Sequence, residues 1–372
     1  MASDLRDRLQ ASLGAAYRIE RELGGGGMSR VFIADETAFG RKVVVKVLPP
    51  ELAAGVNVDR FKREIQVAAR LQHPHIVPVL SAGEFEGLPY YTMPFVEGSS
   101  VRARLAGGPL SITEAVNILR EVSRALAYAH ANGVVHRDIK PDNVLLTGGS
   151  ATVTDFGIAK ALSAARLDGP ESPTLTAMGT SLGTPTYMAP EQAAGDPSTN
   201  HRADIYSLGC MAYELLTGHP PFHGLSPHKL FAAHMGEKPQ SITDLRSDVP
   251  AALAQVVMSC MEKEPDHRPQ NAGDVARVLD TVTSSATGQA AMPAILLGGR
   301  GMLQKALAIY AGAFVAVAVI AKAAIVGIGL PDWVYPGALI VMALGLPVVL
   351  WTGYVQRVAR RAVTMTPAFT TG

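Results

Sequence analysis

Apolar and polar positions change character near Asp280. Before it, charged residues are scattered among short apolar patterns; after it they nearly vanish and long apolar runs take over. Residues 1–16 are polar and charged enough to read as a short helical lead-in. Tyr17–Leu23 and Val31–Ala34 read as strands on either side of a glycine run, and the β-branched Val43-Val44-Val45 predicts a third. Asp59–Leu71 carries Phe61, Ile65, Val67, Ala68 and Leu71 and predicts a helix. Pro74 forces an extended step after it. Ser111–Ala131 places Ile112, Val116, Leu119, Val122, Leu126 and Tyr128 largely at helical spacing, and Gly133 ends that helix. Val144-Leu145-Leu146 predicts a strand, and a very apolar helix runs from Asp204 to Leu216.

The tail is read from the same pattern. Thr281–Gly299 is small and polar, and residues 281–305 are expected to be a linker. Ala306–Leu330 is almost wholly apolar with one charge, Lys322, and at about 1.5 Å per residue it can cross the roughly 30 Å hydrocarbon core. Pro331–Gly337 is a turn with Trp333 and Tyr335, and Ala338–Tyr354 is a second run just long enough to cross. Arg300 and Lys305 precede the pair, Arg357, Arg360 and Arg361 follow it, and the turn has no Lys or Arg. That is the positive-inside pattern of a two-helix transmembrane hairpin over 306–356, with 357–372 as a short cytoplasmic tail. Lys322 would snorkel or pair with Asp332. A buried hairpin of a soluble domain is the competing reading. Met1–Gln10 is too polar for a signal peptide.

Composition narrows the function. With a formal charge of +1, nothing suggests a general nucleic-acid binder. The two cysteines, Cys210 and Cys260, sit in apolar surroundings with no ligand spacing, so both read as small buried hydrophobes rather than redox or metal groups. His73 and His75 flank Pro74 in a turn, with no third ligand near.

Chemistry concentrates in His136-Arg137-Asp138-Ile139-Lys140-Pro141-Asp142-Asn143. A carboxylate there can take a proton from a hydroxyl, a lysine can neutralise a phosphoryl group, and an asparagine oxygen can ligate a hard cation. Asp155-Phe156-Gly157 adds a second acid beside a glycine hinge. Leu23-Gly24-Gly25-Gly26-Gly27-Met28-Ser29-Arg30-Val31 is a run whose backbone N–H groups can approach phosphates closely.

HRDIKPDN followed by DFG resembles the catalytic core of bacterial eukaryotic-like (Hanks-type) serine/threonine protein kinases. The resemblance covers Tyr17 to Asp280 with every major motif in order. It implies an α+β, two-lobed fold, with a β-rich N lobe to about Met93 and a helical C lobe, in a catalytic domain at 17–280 preceded by the lead-in 1–16 and followed by the C-terminal transmembrane helices. Gly24, Gly26 and Val31 match the glycine-loop pattern, while Ser29 replaces its third glycine. The resemblance implies a nucleotide site formed by Leu23–Ser29, Val31, Val44, Lys46, Met93, Pro94 and Val96. Lys46 would hold the α/β-phosphates and pair with Glu64. Met93 would be the gatekeeper. Pro94 stands where many relatives carry Glu but keeps its carbonyl, and Val96 keeps its N–H.

By the same resemblance Asp138 is the catalytic base, Lys140 faces the γ-phosphoryl, and Asn143 and Asp155 hold Mg²⁺, or Mn²⁺ in its place. Thr186 would hydrogen-bond Asp138 and Lys140. Glu191 would pair with Arg268, and Asp204 would brace the catalytic loop. Arg137 would meet a phosphorylated residue of the long loop from Asp155 to Glu191, where Thr174, Thr176 and Thr180 are the candidates. ATP and Ser/Thr-bearing proteins are the implied partners, at a cell membrane engaged through 306–356; a homodimer through the hairpin is left open. The alternative is a pseudokinase-type ATP-binding scaffold; loss of Lys46, Asp138 or Asp155 would favour it, and none is lost. A small-molecule kinase is disfavoured by the intact Gly183–Glu191 segment.

Overall fold

The computed structural model describes residues 2–26, 29–53, 55–165 and 185–286, with isolated positions between 314 and 339. The chain divides into two units, Met1–Gln289 and Ala290–Gly372, and the fold below is that of the first. The loop tip Gly27-Met28, the candidate phosphosites Thr174, Thr176 and Thr180, and nearly all of 306–356 lie outside the described residues. Among the described residues no helix is long and apolar enough to cross a membrane.

The N lobe is an antiparallel sheet. Its strands are β1 (Tyr17–Gly26), β2 (Ser29–Glu36), β3 (Arg41–Val47), β4 (Ser81–Phe85) and β5 (Leu88–Pro94), in the order β1-β2-β3-β5-β4. The glycine run belongs to the β1–β2 hairpin, where Gly24, Gly25 and Gly26 face Val31, Arg30 and Ser29. The lead-in is an integral part of this lobe. In α1 (Ala2–Leu13), Leu9 is fully buried among Ile19, Phe32, Val43 and Val45. Gln10 binds β1 twice, accepting from the Ile19 N–H at 2.7 Å and donating to the Tyr17 carbonyl at 2.9 Å, so the edge strand's free backbone groups are met.

The short α2 (Pro50–Ala53) leads to α3 (Val58–Ala68), which starts where Asn57 accepts from the Arg60 N–H. Its apolar stripe, Phe61 and Ile65, packs on Leu48 and Tyr91, and on Ile158, Ala161, Leu162 and Ala165 from later in the chain. His73-Pro74-His75 forms a turn: His73 stacks on Tyr128, and His75 Nδ1 lies 2.9 Å from the Ala151 carbonyl. Among the described residues no three His, Cys, Asp or Glu groups gather around one point.

The C lobe opens with β6 (Ser99–Ser100), α4 (Val101–Leu105) and α5 (Ile112–Ala131), the helices capped by Ser100 and Ser111. Strands β7 (Val144–Thr147) and β8 (Ser150–Val153) join β6 in a small antiparallel sheet. Then come α6 (Ile158–Ala165), α7 (Pro190–Ala193), α8 (Arg202–Thr217), α9 (Pro227–Gly236), α10 (Ile242–Leu245), α11 (Ala251–Cys260) and α12 (Ala272–Ala286). Every residue of α8 from Ala203 to Leu216 is buried, so it is the axle of the lobe. A Cβ on Gly209 would lie 2.7 Å from Cys260 Cβ; α8 and α11 approach this closely because glycine is there. Cys210 and Cys260 are free and buried, and burial pushes the Cys260 thiol up to about 12. Two sequence expectations are corrected. The stretch after Gly157 begins as the helix α6 rather than as loop. α12 continues to Ala286, into the stretch expected to be linker.

Candidate active site

Asp204, fully buried at the start of α8, sets the catalytic loop. Its Oδ2 accepts from the His136 N–H at 2.8 Å and its Oδ1 from the Arg137 N–H at 2.7 Å, with His130 Nε2 2.8 Å from Oδ2. Burial alone would raise this carboxyl, but the His130 hydrogen bond and the neighbouring imidazoles outweigh it and hold it below its ordinary range. The brace supports a costly backbone: Arg137 and Asp155 both adopt left-handed φ, 66° and 67°. His136, fully buried, spans the loop by meeting the Thr154 carbonyl through Nε2 at 2.8 Å and the Asp138 N–H through Nδ1 at 3.2 Å.

Asp138 is thereby presented with one oxygen engaged. Lys140 Nζ and Asn143 Nδ2 both donate to its Oδ2, at 2.8 and 2.9 Å. Its Oδ1 has no hydrogen-bond partner among the described residues. Asn143 spends its amide N–H₂ on Asp138, which leaves its oxygen Oδ1 without a hydrogen bond among the described residues. That oxygen and the Asp155 carboxylate suit Mg²⁺, which takes one or two protein oxygens and completes its octahedron with phosphates and waters. The donor set therefore fits the cation the motifs imply.

Asp155 is held from the N lobe. Lys46 Nζ lies 2.6 Å from its Oδ2, and Tyr91 Oη donates to its Oδ1 at 2.8 Å. Burial would raise the Asp155 carboxyl; the Lys46 ammonium and these hydrogen bonds outweigh that and lower it. The expected Lys46–Glu64 pair is not formed. Glu64 Oε2 lies 3.5 Å from Lys160 Nζ on α6 instead. The reason is packing: Ile158, Ala161, Leu162 and Ala165 of α6 bury themselves against Phe61 and Ile65 of α3, so α3 rests on α6 and its glutamate meets the cation of that helix. Thr186 likewise makes no hydrogen bond to Asp138 or Lys140 among the described residues; Lys140 and Asn143 are the side chains that donate to Asp138.

An apolar slot closes the nucleotide side. Val31, Val44, Val77, Met93, Phe95, Val96 and Leu145 form one cluster, bringing strands of both lobes together. Val77, Phe95 and Leu145 carried no motif signal; Leu145 could have been found from strand alternation next to buried Val144. Phe95 donates its N–H to the Lys42 carbonyl at 3.2 Å, while the Val96 N–H has no partner among the described residues. A Cβ on Gly98 would collide with the Leu146 carbonyl, so glycine is required at this crossing. Leu23, before the glycine run, is exposed.

Two further networks tie the site to the C lobe. Arg268 grips Glu191 bidentately, at 2.6 and 2.8 Å, and also donates to the carbonyls of Arg202, Glu262 and Lys263. Arg102 of α4 donates to Glu214 at 2.6 Å and to Asp142 at 3.2 Å, and also to the Tyr187 hydroxyl, which donates in turn to Glu214. Nothing in the sequence pattern pointed to Arg102 or Glu214. Among the described residues the Arg137 guanidinium, by contrast, reaches only the Thr199 carbonyl, at 3.4 Å, and its buried Nε has no partner there.

Comparison with known proteins bears on this arrangement. A protein kinase domain family profile matches residues 17–279. The serine/threonine-protein kinase PknD of Mycobacterium tuberculosis is 43% identical over 279 residues, covering 74% of this chain and 41% of the relative. PrkC of Bacillus subtilis is 38% identical over 268 residues, covering 71% and 40%. The chain thus spans about two fifths of the length of these relatives. The crystal structure of the Mycobacterium tuberculosis PknI kinase domain matches with a TM-score of 0.57 at 31% identity, over 72% of this chain and 96% of that one. A two-lobed fold, a braced loop that presents Asp138, and a profile matched from the first N-lobe strand into the last described helix make this chain a member of the protein kinase family, in its bacterial serine/threonine branch.

Proposed function

We propose that the protein transfers the γ-phosphoryl group of ATP to serine and threonine hydroxyls of proteins. The observation that carries this reading is the state of Asp138: one oxygen fixed by Lys140 and Asn143, the other without a partner among the described residues and able to accept the proton of an incoming hydroxyl. Adenine would enter the slot beside Met93 and hydrogen-bond the Val96 N–H and the Pro94 carbonyl. The hairpin Leu23–Val31 would cover the phosphates. Lys46 would turn to the α/β-phosphates with Glu64 behind it, and Lys140 would balance charge at the γ-phosphoryl. Asn143 and Asp155 would hold Mg²⁺, which supplies charge neutralisation at the phosphates.

In this reading the Lys46–Asp155 and Glu64–Lys160 pairs belong to a resting state. Activation requires α3 to exchange Lys160 for Lys46. Phosphorylation at Thr174, Thr176 or Thr180 would supply the anion that the underused guanidinium of Arg137 can bind. The chain would act at a membrane, tethered by a hairpin over 306–356; the support is the apolar run lengths and the flanking arginines.

The test is phosphate transfer from Mg·ATP by the full chain in detergent, wild type beside Asp138→Asn, with phosphosites mapped by mass spectrometry. Loss of a general base costs about 10²–10⁴-fold, so the variant should be nearly silent while binding nucleotide normally. Equal transfer by both forms would remove Asp138 from the reaction. Nucleotide binding without transfer in the wild type would move the reading to an ATP-binding scaffold.

A further inference from the structure

Tyr91 stands directly opposite Lys46 in the β3–β5 register. Opposed residues of an antiparallel pair project from the same face, so an ammonium and a phenol leave the sheet side by side. They divide one carboxylate between them, Lys46 taking Asp155 Oδ2 at 2.6 Å and Tyr91 Oη taking Oδ1 at 2.8 Å. Tyr91 is 3% exposed, and its ring packs among Leu48, Phe61, Ile65 and Ile158. A hydroxyl buried in such company without a partner would carry its full desolvation penalty, and a purely apolar side chain would fill the same volume without that cost. The partner it has is the acid that faces the cation site.

The two donors have different futures on nucleotide binding. Lys46 is a single flexible cation, and the phosphates claim it. Tyr91 is locked by its ring and cannot follow. Thr154 is no substitute: its hydroxyl is 3.4 Å from Asp155 Oδ1 and is engaged with Met93 Sδ at 3.1 Å. A carboxylate oxygen has lone pairs enough to accept one hydrogen bond and still ligate a metal, and hydrogen-bonded partners of carboxylate ligands orient them for the ion. Asp155 needs such orientation, because its backbone sits at φ 67° and its side chain is fastened chiefly from the N lobe.

Resting on the nucleotide and cation reading above, we propose that Tyr91 is a positioning residue: its hydroxyl fixes the Asp155 carboxylate for the divalent cation after Lys46 has moved to the phosphates.

The experiment compares wild-type full chain with Tyr91→Phe, which keeps the packing ring. Binding of a non-hydrolysable ATP analogue is followed by calorimetry over a series of free Mg²⁺ concentrations and in EDTA, and Mn²⁺ occupancy is read by electron paramagnetic resonance. The analogue should bind both proteins equally in EDTA. Loss of an outer partner of a metal ligand typically costs about 10–100-fold in metal affinity, so the Mg²⁺ midpoint should rise by about tenfold or more in the variant, with Mn²⁺ following. Superimposable Mg²⁺ curves would overturn the proposal and leave Tyr91 a packing residue. A lower midpoint in the variant would overturn it too, since the phenol would then compete with the cation. Failure of the wild type to bind the analogue in any medium would instead remove the nucleotide-site reading itself, and failure of the variant alone would overturn the proposal by making Tyr91 part of the nucleotide site.

Discussion

Two sets of ion pairs lie on opposite sides of the catalytic loop and behave as different kinds of object. Beneath it, Arg268 and Glu191 form a closed unit: the guanidinium is fully buried, bidentate, and satisfied by three further carbonyls. Above it, Lys46, Asp155, Glu64 and Lys160 form an open one. Lys46 has one partner where the chemistry asks it to have others, and Lys160 and Glu64 meet at 3.5 Å with side chains 43% and 29% exposed. A buried, fully bonded pair cannot exchange partners without stranding a charge. The half-exposed Glu64–Lys160 pair, worth about 0–1 kcal/mol, can, while the more buried Lys46–Asp155 pair needs another anion to take the ammonium. Rigidity is therefore placed under the loop that carries Asp138, and exchangeability on the side of α3.

The contrast can be broken from the bottom first. Glu191→Ala strands the buried Arg268 and should cost about 3–5 kcal/mol, seen as a large fall in the denaturation midpoint of the catalytic unit; an unchanged midpoint would show that the three carbonyls suffice. Gly209→Ala forces a methyl to within 2.7 Å of Cys260 Cβ and should cost about 1–3 kcal/mol by overpacking, again in stability and with nucleotide affinity unchanged once folded. The upper set should respond the other way. Lys160→Ala removes a pair worth at most about 1 kcal/mol, a factor of about five in population. Its denaturation midpoint should hardly move, while transfer by unphosphorylated protein rises up to about fivefold. A fall in activity would mean that Lys160 serves the working state rather than the resting one.

Much of this was legible in the chain. Strands and helices followed from apolar periodicity, and the candidate site residues from motifs whose order is itself informative; the structure pairs Arg268 with Glu191 and buries Asp204. The failures have local causes. α6 has apolar residues at Ile158, Ala161, Leu162 and Ala165, a helical spacing, but it follows a glycine hinge in a stretch that motif reading treats as loop. Once α6 is missed, Lys160 cannot be seen as a rival for Glu64, because only a helix turns it toward α3. Tyr91 was invisible for another reason. It lies in an aromatic strand run, and nothing in alternation says which hydroxyl reaches an acid 64 residues away. The end of α12 was misjudged because Thr281 and Ser284 are small and polar, which composition cannot separate from linker.

The seat of α6 on α3 also has a thermal signature. Ile158, Leu162, Phe61 and Ile65 bury apolar surface in that contact. Releasing α6 to free Glu64 exposes that surface to water, and such exposure raises heat capacity. The enthalpy of nucleotide binding should therefore carry a positive heat-capacity contribution from the release, opposing the negative one from adenine burial. A variant that never seats α6 would lose the positive part, so its binding enthalpy would fall more steeply on warming than that of the wild type.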